Sequence, residues 1–130
     1  HRAHRIRLAI GGGVLPYLAW EHEIAACPPE ALVFPAGAGG VFYPQGVLPP
    51  EASDAVAAAA LCPTADDVWL YGMARLNGAL FAKVGPRRAL VTWPGSQRQA
   101  LRNGNVLGGG NDRQIAAFAA RYGFPPAPRR

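Results

Sequence analysis

The sequence predicts a mixed α/β domain of the α+β kind, with three helices packed on a small mixed sheet. Three observations carry this expectation. Short β-branched and aromatic runs such as "ALVFP" (31–35) stand between glycines and prolines, as strands do. Apolar runs of helical period follow polar capping residues, as in "TADDVWLYGMARLNG" (64–78). The order of elements reads strand, strand, strand, helix, helix, strand, strand, helix. It lacks the regular βαβ alternation of a complete nucleotide-binding sheet.

Taken in order, "AHRIRLAI" (3–10) alternates enough for a strand, with Ile6 and Leu8 on one face and Arg5 and Arg7 on the other. Glycines 11–13 break it. "VLPYLAW" (14–20) follows as an extended piece that Pro16 confines to an edge or a loop. "EHEIAACPPE" (21–30) has no clear period. "ALVFP" is a buried strand, "AGAGG" (36–40) a glycine loop, and "VFYP" (41–44) a return to extended chain. Pro49 and Pro50 mark a helix start, the helix runs over 51–61, and Pro63 stops it. Thr64 then reads as an N-cap, with Asp67 in the reciprocal capping position. Val68, Gly72, Met73 and Leu76 share one face of that helix, and Asn77-Gly78 ends it. "ALFAKV" (79–84) and "RALVTW" (88–93) read as strands about a tight "GPR" connection. The polar, glycine-rich stretch 94–110 is long enough to be a functional loop or disordered. The last helix takes Asn111 as N-cap, with Gln114 closing the box, Ile115, Phe118, Ala119 and Tyr122 on one stripe, and Gly123 as stop. Residues 1–124 read as one domain and 125–130 as a tail.

Composition narrows the classes. Half of the 130 residues are hydrophobic, enough to fold one modest core. No stretch approaches the roughly 18 apolar residues of a membrane helix. No signal peptide is visible, and a start at His1 without methionine looks like a cut from something longer. The net charge of +5 suits anionic partners without choosing among nucleotides, nucleic acid and acidic lipid. Cys27 and Cys62 are expected as free buried thiols. No Cys/His grouping has zinc spacing.

Five segments can carry chemistry, and each has a plainer reading. In "CPTADDVW" (62–69), one of Asp66 and Asp67 can serve as a general base held at a helix start. The plainer reading is a capping box with an extra acid. Capping occupies Asp67, which leaves Asp66 the freer candidate. In "FPAGAGGVFYP" (34–44), the glycines let backbone approach a ligand, or simply turn the chain. "GGGNDRQ" (108–114) offers Asn111 and Asp112 as a polar rim for a sugar or phosphate, or as a cap with a stabilising acid. "HRAHR" (1–5) can meet a phosphate or be a solvated terminal strand, the reading favoured here. "EHE" (21–23) lacks a third metal ligand in reach and reads as surface.

Together, "AHRIRL…LPYLAW", "FPAGAGGVFYP", "LCPTADDVWLYGMARLNG" and "GGNDRQI" resemble bacterial glycosyltransferases of the A-type fold that act in surface-polysaccharide assembly. The resemblance covers nearly the whole chain, and "CPTADD-W" and "GG-ND-Q" are its most specific parts. It implies the second, acceptor-side half of such an enzyme. Asp66 or Asp67 would be the catalytic base, Gly37, Gly39 and Gly40 would lie beside the reacting sugar, and Tyr43, Trp69, Asn111 and Asp112 would line the substrate site. The family's Asp-x-Asp metal motif is absent from this chain. A divalent metal, Mg or Mn, is therefore expected only in the full-length parent, and this chain is expected to be inactive alone. The implied partners are a nucleotide-sugar donor and a glycan acceptor, with no specific nucleic acid and no transmembrane segment. A second copy could cover the face left by the missing half. The implied location is the cytoplasm or the inner face of the membrane. Two other readings stay open. One is a non-catalytic carbohydrate-binding module that stacks sugars on Trp20, Trp69 and Trp93. The other is a small basic nucleic-acid-binding domain, for which no recognised motif is present.

Overall fold

The helix that begins at Asp66 is the centre of the molecule. The computed structural model describes residues 2–87, 93–95 and 100–128. Among these, four strands form: β1 (Arg2–Arg5), β2 (Cys27–Glu30), β3 (Val33–Ala36) and β4 (Phe81–Lys83). Three α-helices form: α1 (Ala55–Leu61), α2 (Asp66–Leu76) and α3 (Gly110–Tyr122). Short 3-10 turns lie at Tyr17–Ala19 and Pro50–Ser53, and a π-helical turn at Asn103–Leu107. None of the described helices is long and apolar enough to cross a membrane.

α2 buries Val68, Trp69 and every residue from Tyr71 to Leu76, so it is covered all round rather than on one face. β3 packs one side of it, and all four β3 residues are buried. The Phe34 ring of β3 meets Tyr71 of α2 edge-on at 5.2 Å between centroids. The Tyr71 hydroxyl donates to the Ala31 carbonyl at 2.6 Å, which satisfies its polar end in the core. α3 packs another side, where Phe118 lies over Gly72. A Cβ at Gly72 would stand 2.2 Å from that ring, so the close approach depends on glycine. Trp69 fills the remaining space with its indole Nε1 donating to the Ala52 carbonyl at 2.9 Å.

The mixed α+β class holds, but the strands do not join in one mixed sheet. β1 pairs antiparallel with β3, from Arg2 opposite Ala36 to Arg5 opposite Val33. β2 pairs antiparallel with β4 through an irregular register. β2 is "CPPE", a segment without a legible period, and its two prolines fit an edge position where a missing amide is tolerated. The first strand is shorter than expected: it ends at Arg5, Ile6 is buried, and Leu8 is exposed in an isolated bridge with Val14. "VFYP" forms no strand, and Phe42 is exposed. The strand expected over 88–93 falls largely outside the described residues. The helix expected over 51–61 is divided, because the Asp54 side chain accepts the Ala57 amide at 2.9 Å and starts α1 afresh. The expected tail stays on the body, with Phe124 packed between Trp20 and Tyr71 and Pro126 fully buried. Both cysteines are free, Cys62 buried and Cys27 half-buried.

Gly72→Ala should therefore force α2 and α3 apart. We expect a loss of about 1–3 kcal/mol in urea denaturation, the usual range for overpacking. An unchanged midpoint would show that the Phe118 ring can turn aside without cost.

Candidate functional site

Asp66 and Asp67 occupy the first turn of α2, but neither belongs to a capping box. The residue before the helix is Ala65, and no side chain caps it. Thr64 is drawn away by α3. Its amide donates to Gln114 Oε1 at 3.0 Å, and its hydroxyl accepts from Gln114 Nε2 at 2.9 Å. The same hydroxyl donates to Asn105 Oδ1 at 2.6 Å, and Asn105 Nδ2 donates back to the Thr64 carbonyl at 2.5 Å. Asn105 and Gln114, 41 and 50 positions on from Thr64, are thus tied to it at the start of α2. The cap of α3 is corrected too: Gly109, left-handed at φ 68°, precedes a helix that starts at Gly110. This leaves Asn111 inside the first turn and Gln114 free to reach Thr64.

A cleft of about 590 Å³ opens in front of that tie. β1 contributes Arg2 and His4, and the following loops contribute Tyr17, His22 and Glu23. Gly37 closes one side, Asp66 and Asp67 another, and Arg102, Asn105 and Asn111 the far rim. Asp67 is the deeper acid. Its Oδ1 accepts the Val68 amide at 2.9 Å, while Asp66 is exposed. Burial, then the neighbouring Asp66 charge, pushes the Asp67 carboxyl up to about 6, although the amides of Val68, Gly37 and Asp67 itself pull the other way. Both acids line the cleft; Asp67 is the one with a perturbed carboxyl, and it accepts first-turn amides without taking part in a box with Thr64.

The opposite wall is basic. His4 is only 3% exposed, which replaces the favoured picture of a solvated terminal strand. Its Nδ1 accepts the Glu23 amide at 2.9 Å, so the neutral ring carries its proton on Nε2. Burial, then His22, then Arg2 lower its pKa to about 4. The His22 ring lies 4.6 Å from His4 between centroids, and its Nε2 sits 3.0 Å from the Tyr17 carbonyl. Glu23 reaches its place with φ 54°, a left-handed conformation unusual for a residue with a side chain. Its carboxylate pairs with Arg2. Tyr17 stands between the walls, its hydroxyl raised by burial and by Asp67 and lowered by Arg2.

The expected site residues divide. Asp66, Asp67, Gly37 and Asn111 meet in this cleft. Tyr43 and Gly40 line a second, mostly apolar groove of about 600 Å³, although Tyr43 is raised to about 12 by burial and by both Asp67 and Asp66. Gly39 and Gly40 both take positive φ, 101° and 96°, so they turn the chain after β3. Asp112 points elsewhere: its Oδ1 accepts the Tyr17 amide at 2.7 Å and holds that turn to α3. Trp69 is in the core, as is Trp20, whereas Trp93 is exposed. His22, Asn105 and Arg102 join the cleft although the sequence argued for none of them as substrate contacts, and His4 joins it although the sequence placed a phosphate contact at "HRAHR" second to a solvated strand. Among the described residues no three His, Cys, Asp or Glu side chains stand close enough to hold a metal. Comparison of the chain with protein-family models, with curated proteins and with solved structures returns no match.

Two tests follow from this geometry. His4 binds a proton more weakly folded than unfolded, so its contribution to stability is lost as pH falls from about 6.5 to about 4. Asp67 binds one more strongly, so its contribution is lost as pH rises from 3.8 to about 6. The two slopes oppose each other. Relative to the parent chain, Asp67→Asn should lose more stability on acidification through this window, and His4→Gln should lose less, in denaturant titrations from pH 4 to 7. Separately, Gln114→Ala removes every tie from α3 to Thr64. It should cost about 1–3 kcal/mol and bring the Asp67 carboxyl, followed by carbon NMR, back toward the ordinary range.

Proposed function

We propose that this chain is the acceptor-side, base-carrying part of a nucleotide-sugar-dependent glycosyltransferase of glycan synthesis. The observation that carries the reading is Asp67: a carboxyl in a cleft, held by backbone amides at a helix start, with its pKa raised to about 6. A base near neutrality is matched to taking a proton from a hydroxyl as that hydroxyl attacks. The resemblance of "CPTADDVW" and "GGNDRQ" to the glycosyltransferases supplies the rest of the reading. The acceptor hydroxyl would attack the anomeric carbon of the donor sugar, Asp67 would take its proton, and the nucleoside diphosphate would leave. Asn111 and Asn105 would offer both donors and acceptors to other hydroxyls of the acceptor. The donor-binding half, and the Mg or Mn of the metal motif, would belong to a longer parent. No step of the proposal runs through an ion held by these residues. Location in the cytoplasm or at the inner face of the membrane, and pairing with a second copy through the face left by the missing half, belong to the same proposal.

The stacking alternative has lost most of its motive, because Trp20 and Trp69 are core residues with their faces covered.

The test uses the full-length enzyme that this reading implies. Asp67→Asn should lower sugar transfer about 10²–10⁴-fold, while Asp66→Asn should leave most of it. Transfer by the parent should rise with pH through about 6 and level off above, as the base loses its proton. Full transfer by Asp67→Asn sinks the assignment.

A further inference from the structure

The two walls of the cleft differ in chemistry. Asp66 and Asp67 stand on the α2 side, and Arg2, paired with Glu23, stands with the His4 and His22 rings on the β1 side. The separation is felt by the groups themselves. His4 is held down by His22 and Arg2, with neither aspartate among the charges acting on it. Tyr17, between the walls, feels both Asp67 and Arg2.

The β1 wall also carries donors: Arg2, one of whose nitrogens is taken by Glu23, and His4. Arg2 and His4 alternate on one strand, opposite Ala36 and Phe34, so both side chains lie on one face. His4 is 3% exposed, and the Glu23 amide occupies its Nδ1, which leaves Nε2 as the ring nitrogen that carries the proton. Asn111 is 5% exposed and lines the same cleft, and no described residue pairs with its carboxamide. Arg2 Nε is buried without a partner. Buried donors normally find acceptors in a native fold, and those left over around a cavity mark where a ligand's atoms go. Glu23 accepts an uncommon backbone conformation at the one place that fixes the His4 tautomer.

We propose that the β1 wall is an oxyanion subsite, in which His4 Nε2–H, with Asn111 and the Arg2 guanidinium beside it, takes a carboxylate or phosphate oxygen of the ligand. The ligand is then an acidic saccharide: its anionic group sits against β1 while a hydroxyl faces Asp67 across the cleft. The hydroxyl part of this statement rests on Asp67 as the base, and the oxyanion part does not.

The experiment uses the chain itself, with its histidine ring signals followed by NMR. The probes are glucuronate, glucose 1-phosphate, inorganic phosphate and neutral glucose. The anionic probes should raise the His4 pKa from about 4 by about one unit, because a bound anion stabilises the imidazolium. They should also bind about tenfold more tightly than glucose at neutral pH. Preference for glucuronate identifies a carboxylate as the source, and preference for the phosphates identifies a phosphate. His4→Gln should weaken anion binding about tenfold. Glu23→Gln keeps the backbone and frees Arg2 from its carboxylate, so it should tighten anion binding, a gain that a damaged fold cannot imitate. Glucose binding as tightly as glucuronate, or anion binding unaltered in both variants, overturns the proposal. Asp67→Asn should retain anion binding, so loss of the base assignment in a transfer assay and loss of the oxyanion subsite are told apart.

Discussion

Phe118 of α3 lies against the bare backbone of α2 at Gly72, where any Cβ would fall 2.2 Å from the ring. That contact sets the distance between the two longest helices, and the rest of the site depends on the distance. Gln114 stands one turn before Phe118 on the same face of α3. With the helices this close, its carboxamide reaches Thr64 with both ends, 3.0 Å to the amide and 2.9 Å to the hydroxyl. Thr64 in turn holds Asn105. The start of α2 is therefore fixed by tertiary hydrogen bonds rather than by its own cap. The acids of its first turn are presented from a rigid element, as a site that must hold a carboxyl in one place requires.

Desolvation acts on both walls of the cleft and in opposite senses. It disfavours the anion of Asp67 and the cation of His4, so each is biased toward its neutral form. Neighbouring charges of like sign reinforce both shifts, Asp66 for one and His22 and Arg2 for the other. A carboxyl that loses its proton near pH 6 and an imidazole that stays neutral can accept and donate protons across a common space. The other buried cations, Arg75 and Lys83, bond to carbonyls around them: Arg75 to Ala79, and Lys83 to Val84, Gly85 and Pro86.

Local signals in the sequence were sufficient for the spans of α2 and α3 and for β3, because each is a run of consistent apolar or β-branched residues ended by glycine or proline. The C-terminal stops at Asn77 and Gly123 were legible, but the N-caps were not. Thr64 and Asp67 have ideal spacing for a box, but Gln114, fifty positions on, competes for Thr64 and wins. β2 was hidden because its prolines read as a break, and only its pairing with β4 makes it a strand. For the site, the adjacent acids, Gly37 and Asn111 could be placed near one another on motif alone. Trp69 and Asp112 carry the same motif weight, yet they serve packing and the Tyr17 turn. His4 was underweighted because basic neighbours suggest a wet strand. The signal that could have found it is its two-residue spacing from Arg2, which puts both on whichever face β3 and the loops enclose.

The cleft lies along a seam. One lip is β1, joined to the body by its pairing with β3 and by an isolated bridge from Arg5 to Glu21. The other lip is α2, buried from Tyr71 to Leu76. A molecule lodged between them would act as a clasp, and the opening of β1 would have to break its contacts as well as the ladder. Occupancy would then be felt in the exchange of the Val33 and Phe34 amides, which do not line the cleft. The strand that carries His4 and Arg2 is thus a latch as well as a wall, and its hold on the sheet would be a measure of what the cleft contains.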